Sequence, residues 1–347
     1  MVYLNKYKKI IFIVAAIFIV ASGMFFYKAG RTISVVGGGN DKLWEETISD
    51  FLDFPEPEED RVDVLMIGIR GFDDNSKNIY EGENGEYLAD TIILASFNKK
   101  NNQAAIVSIP RDLYVEIPNY GKEKINSAYA VGEARHYGGG GLQLTKALVS
   151  MISGVYIDHA VSIDFAGFKK IVDNIGGITI HRDAPFVEDK QWIHDGSEGK
   201  DYWRFDTERG WIFYVPSGAN LMSSEDALYY ARSRYSSSDF DRMKRQQEVI
   251  SAIKSKAFNL GVLTNPIKIF NILDIVQNNV RTDMSVSQIN ELISLIQKSK
   301  VQDFKRGALD TSESGLLIED RIDGRFVLMP KSGNYLEVQK LFKDIIQ

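Results

Sequence analysis

Cysteine is absent from this sequence, and histidine and proline are sparse, with four and eight copies in 347 residues. The first absence excludes disulfides, thiolate metal centres and a lipid anchor through cysteine, while saying little about compartment. His136, His159, His181 and His194 stand singly, so structural or surface roles are expected of them rather than metal ligation. Positive charge is also in deficit, since 41 Lys and Arg against 47 Asp and Glu give a net charge of −6. A chain of that balance has no general nucleic-acid-binding coat, and any basic cluster in it is local. Ser108, Ser233 and Ser236–Ser238 have no histidine pattern nearby, which argues against a covalent serine mechanism. No internal repeat occurs at solenoid periods.

Long apolar runs are limited to one, residues 10–27, IIFIVAAIFIVASGMFFY. At about 1.5 Å per residue it just reaches across a bilayer core of about 30 Å. Lys6, Lys8 and Lys9 precede it and Lys28 and Arg31 come after, a bias that places the N-terminus in the cytoplasm and the rest outside. The run is long and no clear A-x-A site succeeds it, so an uncleaved anchor is expected over a cleaved signal peptide. The expected organisation is a cytoplasmic N-terminus (1–9), a transmembrane anchor (10–27), a glycine- and acid-rich stalk (28–61) with a short helix near Leu43–Phe54, and one extracytoplasmic domain (62–347). With 44% hydrophobic and 25% charged residues overall, the chain has ordinary globular material for a sizeable core.

VDVLMIGI (62–69), DTIILASF (90–97) and AAIVSI (104–109) are short, nearly continuous apolar runs, which predicts central strands buried on both faces. Pro110 ends the third and projects Arg111 and Asp112 at its carboxyl end. LQLTKALVSMISG predicts an amphipathic helix stopped by Gly154. The glycines at 138–141 before it could cradle a phosphate, but no Lys-Ser/Thr comes after them, so loop flexibility is the expected reading. Strand, helix and strand near His159–Ile163, Gly167–Asn174 and GITIHR (177–182) continue an α/β alternation. Residues 183–210 have little period and read as an exposed excursion.

The densest chemistry lies in Ala227–Gln247, ALYYARSRYSSSDFDRMKRQQ. Arg232 and Arg234 come at the end of one helix-like run, and Arg242, Arg245, Gln246 and Val249 share one face of the next at i, i+3, i+4, i+7 spacing. Cations at a helix N-terminus oppose its dipole, at a cost of up to about 1 kcal/mol each, whereas an anion there is favoured by dipole and arginines alike. Planar bidentate guanidinium donors point to phosphate or pyrophosphate. The competing reading for one such charge run is a solvated basic face.

ADTI with Asp90, SIPRD with Arg111 and Asp112, KINSAYA, the paired glycines before GITI, and YARSR…D..R..RQ occur in an order that resembles the LytR-CpsA-Psr family of membrane-anchored extracytoplasmic bacterial proteins. The resemblance implies an α/β domain with a central mixed sheet flanked by helices, preceded by a transmembrane helix, and an apolar tunnel for a polyprenyl chain. It implies transfer of a glycopolymer from a polyprenyl-pyrophosphate carrier to a peptidoglycan or other wall hydroxyl, leaving a phosphodiester and polyprenyl phosphate. Arg111, Arg232, Arg234 and Arg242, with Gln246 beside them, resemble the pyrophosphate-binding residues, and Asp90 resembles the aspartate that helps to hold Mg²⁺, for which Mn²⁺ could stand in. Such a site suits phosphoryl transfer, which needs positioning and charge stabilisation. The chain departs from the family where G-S-D-S-R commonly succeeds the first strand: it has GIRGFDDN, and Leu88 in place of an arginine two residues before Asp90. Asp73 and Asp74 are the candidates to replace the missing carboxylate, and Arg70 the candidate to replace an arginine. Asp239 and Asp112 are candidate general bases, each beside site arginines, with helix capping and a structural ion pair as their respective alternatives. Tyr235 lies close enough to the arginines to contact ligand. Two other functions share these residues: hydrolysis of the same lipid, and non-enzymatic lipid binding or regulation.

Overall fold

The computed structural model describes residues 41–51, 53–71, 87–191, 201–262, 265–298 and 305–345. The apolar run at 10–27, Asp73, Asp74 and His194 lie outside the described residues. Among the described residues no helix is long and apolar enough to cross a membrane.

The chain begins with α1 (Asp41–Ile48), then β1 (Arg61–Ile69), β2 (Thr91–Asn98), β3 (Ala104–Ser108) and the hairpin β4 (Tyr114–Ile117) and β5 (Gly121–Lys124). A 3-10 turn leads into α2 (Ala128–Arg135) and α3 (Gly140–Ser153), then β6 (His159–Asp164), α4 (Phe165–Asn174) and β7 (Ile178–Arg182). Next come β8 (Phe186–Glu188), β9 (Trp203–Asp206), β10 (Gly210–Val215), β11 (Gly218–Met222), α5 (Ser224–Arg232) and α6 (Asp239–Asn259). The last part holds α7 (Pro266–Val276), β12 (Val280–Thr282), α8 (Val286–Lys298), β13 (Lys305–Ala308), β14 (Leu317–Ile322), β15 (Arg325–Pro330) and α9 (Leu336–Asp344).

The main sheet has the order β12-β6-β1-β2-β3-β13 and is mixed. β1 pairs antiparallel with β2 and parallel with β6, and β13 runs parallel to β3. Alternation along β1 sends Leu65, Ile67 and Ile69 to one face and Val62, Val64 and Met66 to the other. The first set packs with Tyr129 of α2, Leu148 and Ile152 of α3 and Phe342 of α9, and the second with Ile250 of α6 and Leu292 of α8. Helices therefore cover both faces, which is why the central strands read as unbroken apolar runs. At about 1.5–3 kcal/mol for each fully buried aliphatic side chain, these two layers are the main stabilising term.

GITIHR forms the expected strand, β7, which pairs with β11 outside the main sheet. Two expectations need correction. The stretch 183–210 is not simply an exposed excursion: β8, β10 and β9 form a three-stranded sheet, and Tyr202 and Trp203 are buried in a second core with Phe213 and Tyr230. The glycine run is neither slack loop nor phosphate cradle. Gly140 and Gly141 open α3 against Gly132 of α2, so closely that a Cβ on Gly132 would strike the Gly140 carbonyl and one on Gly141 would sit 2.5 Å from the Tyr129 oxygen. The fully buried Glu133 carboxylate already accepts the N–H groups of Gly138 (2.8 Å) and Gly141 (3.1 Å).

Candidate functional site

The main sheet brings the C-terminal ends of β1, β3 and β6 together with the N-terminal end of β2, the edge of an α/β sheet where ligands commonly bind. Gly68 of β1 pairs with Thr91 of β2, and the Asp90 N–H donates to the Gly68 carbonyl at 2.9 Å. Ile109, just past β3, donates to the Ile92 carbonyl, and Pro110 then turns the chain so that Arg111 reaches Asp90. Above this edge α5 ends at Arg232 and α6 begins at Asp239.

A cavity of about 570 Å³ opens there. Arg70, Arg111, Arg232, Arg234 and Arg242 line its polar end, together with Asp90, Gln191, Tyr235 and Gln246. Beyond Thr91 and Asp164 at the sheet edge, its wall is apolar, built from Met66, Ile93 and Val161 of the sheet, Phe168 and Ile171 of α4, Ile250 and Ile253 of α6, and Leu273 and Val276 of α7. Five cations at one end of a greasy bore suit an amphiphile with an anionic head.

Fixed carboxylates hold these arginines in place. Asp90 is ion-paired to Arg111 and lies 3.6 Å from Arg70. Arg242, only 4% exposed, meets Asp239 at 2.9 Å and donates to the Asp90 carbonyl at 3.4 Å. Asp239 also lies 3.9 Å from Arg234. Arg232 stacks over the Phe165 ring at 4.6 Å. The Nε atoms of Arg111 and Arg242 are buried without a hydrogen-bond acceptor, the former 3.6 Å from the Asp112 carboxylate. Burial, joined by repulsion from Arg70, lowers the pKa of Arg232, and burial lowers that of Arg242. Burial also pulls Arg111 down, but Asp90, Asp239 and Asp112 outweigh it and its net shift is upward. An added anion relieves the repulsion in such a cluster and is favoured by it.

The candidate bases part company. Asp112 is bound by the Lys124 ammonium at 2.6 Å and lies 3.6 Å from Arg111 Nε, the structural ion pair. Asp239 does not cap α6, because Ser238 does, in a capping box with Asp241. Burial raises the Asp239 carboxyl above the usual range, partly opposed by Arg242 and Arg111. Asp239 and Asp241 also place negative charge in the first turn of α6, offsetting the arginines that oppose its dipole.

Arg245 shares a helix face with Arg242 in the sequence but is a structural residue. It is buried, donates through Nε to the Tyr230 carbonyl at 3.1 Å, bonds the Ser233 carbonyl, and stacks 4.5 Å from Phe186. Gln191 is not legible from the sequence, since it lies in the stretch with little period. Among the described residues no group of three His, Asp or Glu could hold a metal ion. Asp90 is a single carboxylate that already faces two arginines, so the described donors do not by themselves fit Mg²⁺ or Mn²⁺.

The model of the LytR_cpsA_psr family matches residues 38–343. Polyisoprenyl-teichoic acid–peptidoglycan teichoic acid transferase TagU of Bacillus cereus is 30% identical over 234 residues, covering 67% of this chain and 63% of that protein. TagU of Enterococcus faecalis is 32% identical over 232 residues, covering 66% and 63%. The chain thus spans somewhat less than two thirds of the length of these curated relatives. Among solved structures, TagV of B. subtilis superposes with a TM-score of 0.59 at 22% identity, over 83% of this chain and 98% of that one. TagT bound to LIIa-WTA superposes with a TM-score of 0.58 at 21% identity, over 86% and 95%. The family match runs through the sheet edge, both arginine-bearing helices and the apolar bore, and on it this chain belongs to the LytR_cpsA_psr family.

Proposed function

We propose that the protein is a membrane-anchored phosphotransferase that moves a glycopolymer from a polyprenyl-pyrophosphate carrier to a peptidoglycan hydroxyl. The observation that carries this reading is the cavity itself, with five arginines at one end of an apolar bore. The named relatives, which are teichoic acid transferases, support it. The apolar run at 10–27 is the proposed anchor, cytoplasmic at its N-terminus, which keeps the domain outside the cell near lipid carriers.

The polyprenyl chain lies in the bore, and the pyrophosphate between Arg111, Arg232, Arg234 and Arg242, with Gln246 beside it. The acceptor oxygen attacks the phosphorus that carries the sugar, forming one P–O bond. The bond from that phosphorus to the bridging oxygen breaks, and its electron pair leaves with polyprenyl phosphate. Asp239 takes the hydroxyl proton. Its raised pKa makes it a stronger base than an ordinary carboxylate. The fixed arginines stabilise the charge that grows on the leaving phosphate, the larger part of the catalysis in a site without covalent chemistry. Were a divalent ion required, Asp90 would hold it together with Asp73 or Asp74 and it would screen the charge on the phosphates; the metal dependence of wild type against Asp90→Asn checks this.

The full-length chain in detergent, given a polyprenyl-pyrophosphate-linked glycan and an oligosaccharide acceptor, should yield an acceptor phosphodiester. Release of glycan phosphate to water, unchanged by acceptor, would make the protein a hydrolase instead. Tight lipid binding without turnover at any metal concentration would make it a lipid-binding or regulatory protein.

A further inference from the structure

The turn that carries Arg232 and Arg234 is gripped from two sides by buried charged groups. On the α6 side, Arg245 donates to the carbonyls of Tyr230 and Ser233 and to Ser237 Oγ (3.0 Å). On the other side, at the end of β8, Glu188 is 1% exposed and accepts from Ser236 through both its hydroxyl (2.6 Å) and its N–H (3.2 Å). The same carboxylate accepts the N–H groups of Lys190 and Gln191 at 3.0 Å, which fixes the backbone at Gln191. Gln191 then spans the turn with a single amide: Nε2 donates to the Arg232 carbonyl at 3.1 Å, and Oε1 accepts from the Arg234 N–H at 2.6 Å. It also lines the cavity beside both guanidinium groups.

We infer that Gln191, set in place by Glu188, is a positioning residue that fixes the spacing of Arg232 and Arg234 and thereby makes the site select a diphosphate over a monophosphate head. One amide tied to residues 232 and 234 locks the two peptide units between the arginines. Two guanidinium groups at a fixed separation engage two linked phosphates together, whereas a monophosphate uses one of them at a time. Without the brace, the second contact must first be ordered by the ligand, and the advantage of the diphosphate shrinks. The inference rests on the proposed binding of pyrophosphate lipid and adds to it the residue that sets head-group selectivity. It also gives the three-stranded sheet a task, because β8 delivers Glu188 and Gln191 to the arginine turn.

The test uses the full-length chain in detergent with geranylgeranyl diphosphate and geranylgeranyl monophosphate as probes, measuring both Kd values and the melting temperature. Wild type should prefer the diphosphate. Gln191→Ala should lower that preference about tenfold, chiefly by weakening diphosphate binding. Gln191→Glu keeps an acceptor for the Arg234 N–H but no donor, and should be intermediate or worse because its charge pairs with the arginines. Glu188→Gln should shift the preference the same way by a smaller factor. An unchanged preference in Gln191→Ala, with wild type still selective, overturns the inference and leaves the proposed function standing. Equal weakening of both probes together with a lowered melting temperature also overturns it, by making Gln191 a stabilising residue only. If wild type binds neither probe, the proposed function falls and the inference with it.

Discussion

Two segments of the chain are rich in groups that bind anions, the glycine run at 138–141 and the arginine turn at 232–246, and the fold uses them in opposite ways. At the glycine run the N–H groups of Gly138 and Gly141 are taken by the buried Glu133 carboxylate, and that of Gly140 by the His136 carbonyl, leaving an outside anion without them. At the arginine turn Arg242 Nε, like that of the neighbouring Arg111, is buried without a hydrogen-bond acceptor, and a cavity opens in front of them. The density of donors is similar in sequence. What separates a scaffold from a site here is whether an internal carboxylate already takes the donors or a cavity opens in front of them.

The comparison is broken most directly at the arginines. Arg111→Ala or Arg232→Ala should reduce transfer to acceptor about 10³-fold, roughly 4 kcal/mol of transition-state stabilisation, while the melting temperature changes little. Unchanged turnover in both would remove the arginine turn from the chemistry. Gly140→Ala should act the other way round. Its methyl group would be driven into the Gly132 carbonyl, so a loss of about 3 kcal/mol in denaturant unfolding is expected, with lipid Kd unaltered in the folded fraction.

Asp239 supplies a pH test. A carboxylate base must be ionised to act, and its pKa here is raised, so transfer should climb with pH through a value above the ordinary carboxylate range. Asp239→Asn should lower the rate about 10²-fold and erase that limb of the profile. A wild-type profile flat across this range would exclude Asp239 as the base. The smallest effect belongs to Glu133→Gln, which keeps one acceptor for the glycine N–H groups but loses the second and the charge facing Arg281. A cost of about 1–2 kcal/mol in stability is expected with no change in pyrophosphate-lipid affinity. A drop in that affinity would mean that the glycine run is coupled to the site.

The parts legible in the sequence are those written in long or strongly patterned signals. The three central strands are buried on both faces and read as apolar runs, whereas the cap of the second arginine-bearing helix is not legible, since Asp239 is the candidate in the sequence and Ser238 holds the position in the structure. Asp90 and Arg111 are legible because each sits at the end of such a run, where a sheet edge presents its polar neighbours to solvent. Short elements escape for the matching reason. The hairpins β4–β5 and β14–β15 have four to six residues per strand, with exposed polar positions that look like loop, and β8 has three. Arg242 and Arg245 cannot be told apart in sequence, because a spacing of three residues on a helix places both on one face. Their division of labour depends on which carbonyls the preceding turn presents, and only the tertiary fold supplies those. Gln191 belongs to the same class, since its role exists only once β8 stands beside the turn.

Gln247, one residue past the site, donates through Nε2 to Ser108 Oγ and to the Gly307 carbonyl, both at 2.8 Å. It thereby joins α6 to β3 and to β13, the edge strand contributed by residues 305–308. This latch has a consequence for timing during synthesis. Arg111 is made early and Arg242 much later, and while the bond to Ser108 registers one against the other, the second half of the strap closes only after residue 307 has been added and docked. A chain still being translated, or one whose C-terminal part has come loose, would hold all of its arginines with that strap half closed. Lipid binding would then tighten as the last strand docks and the domain finishes folding.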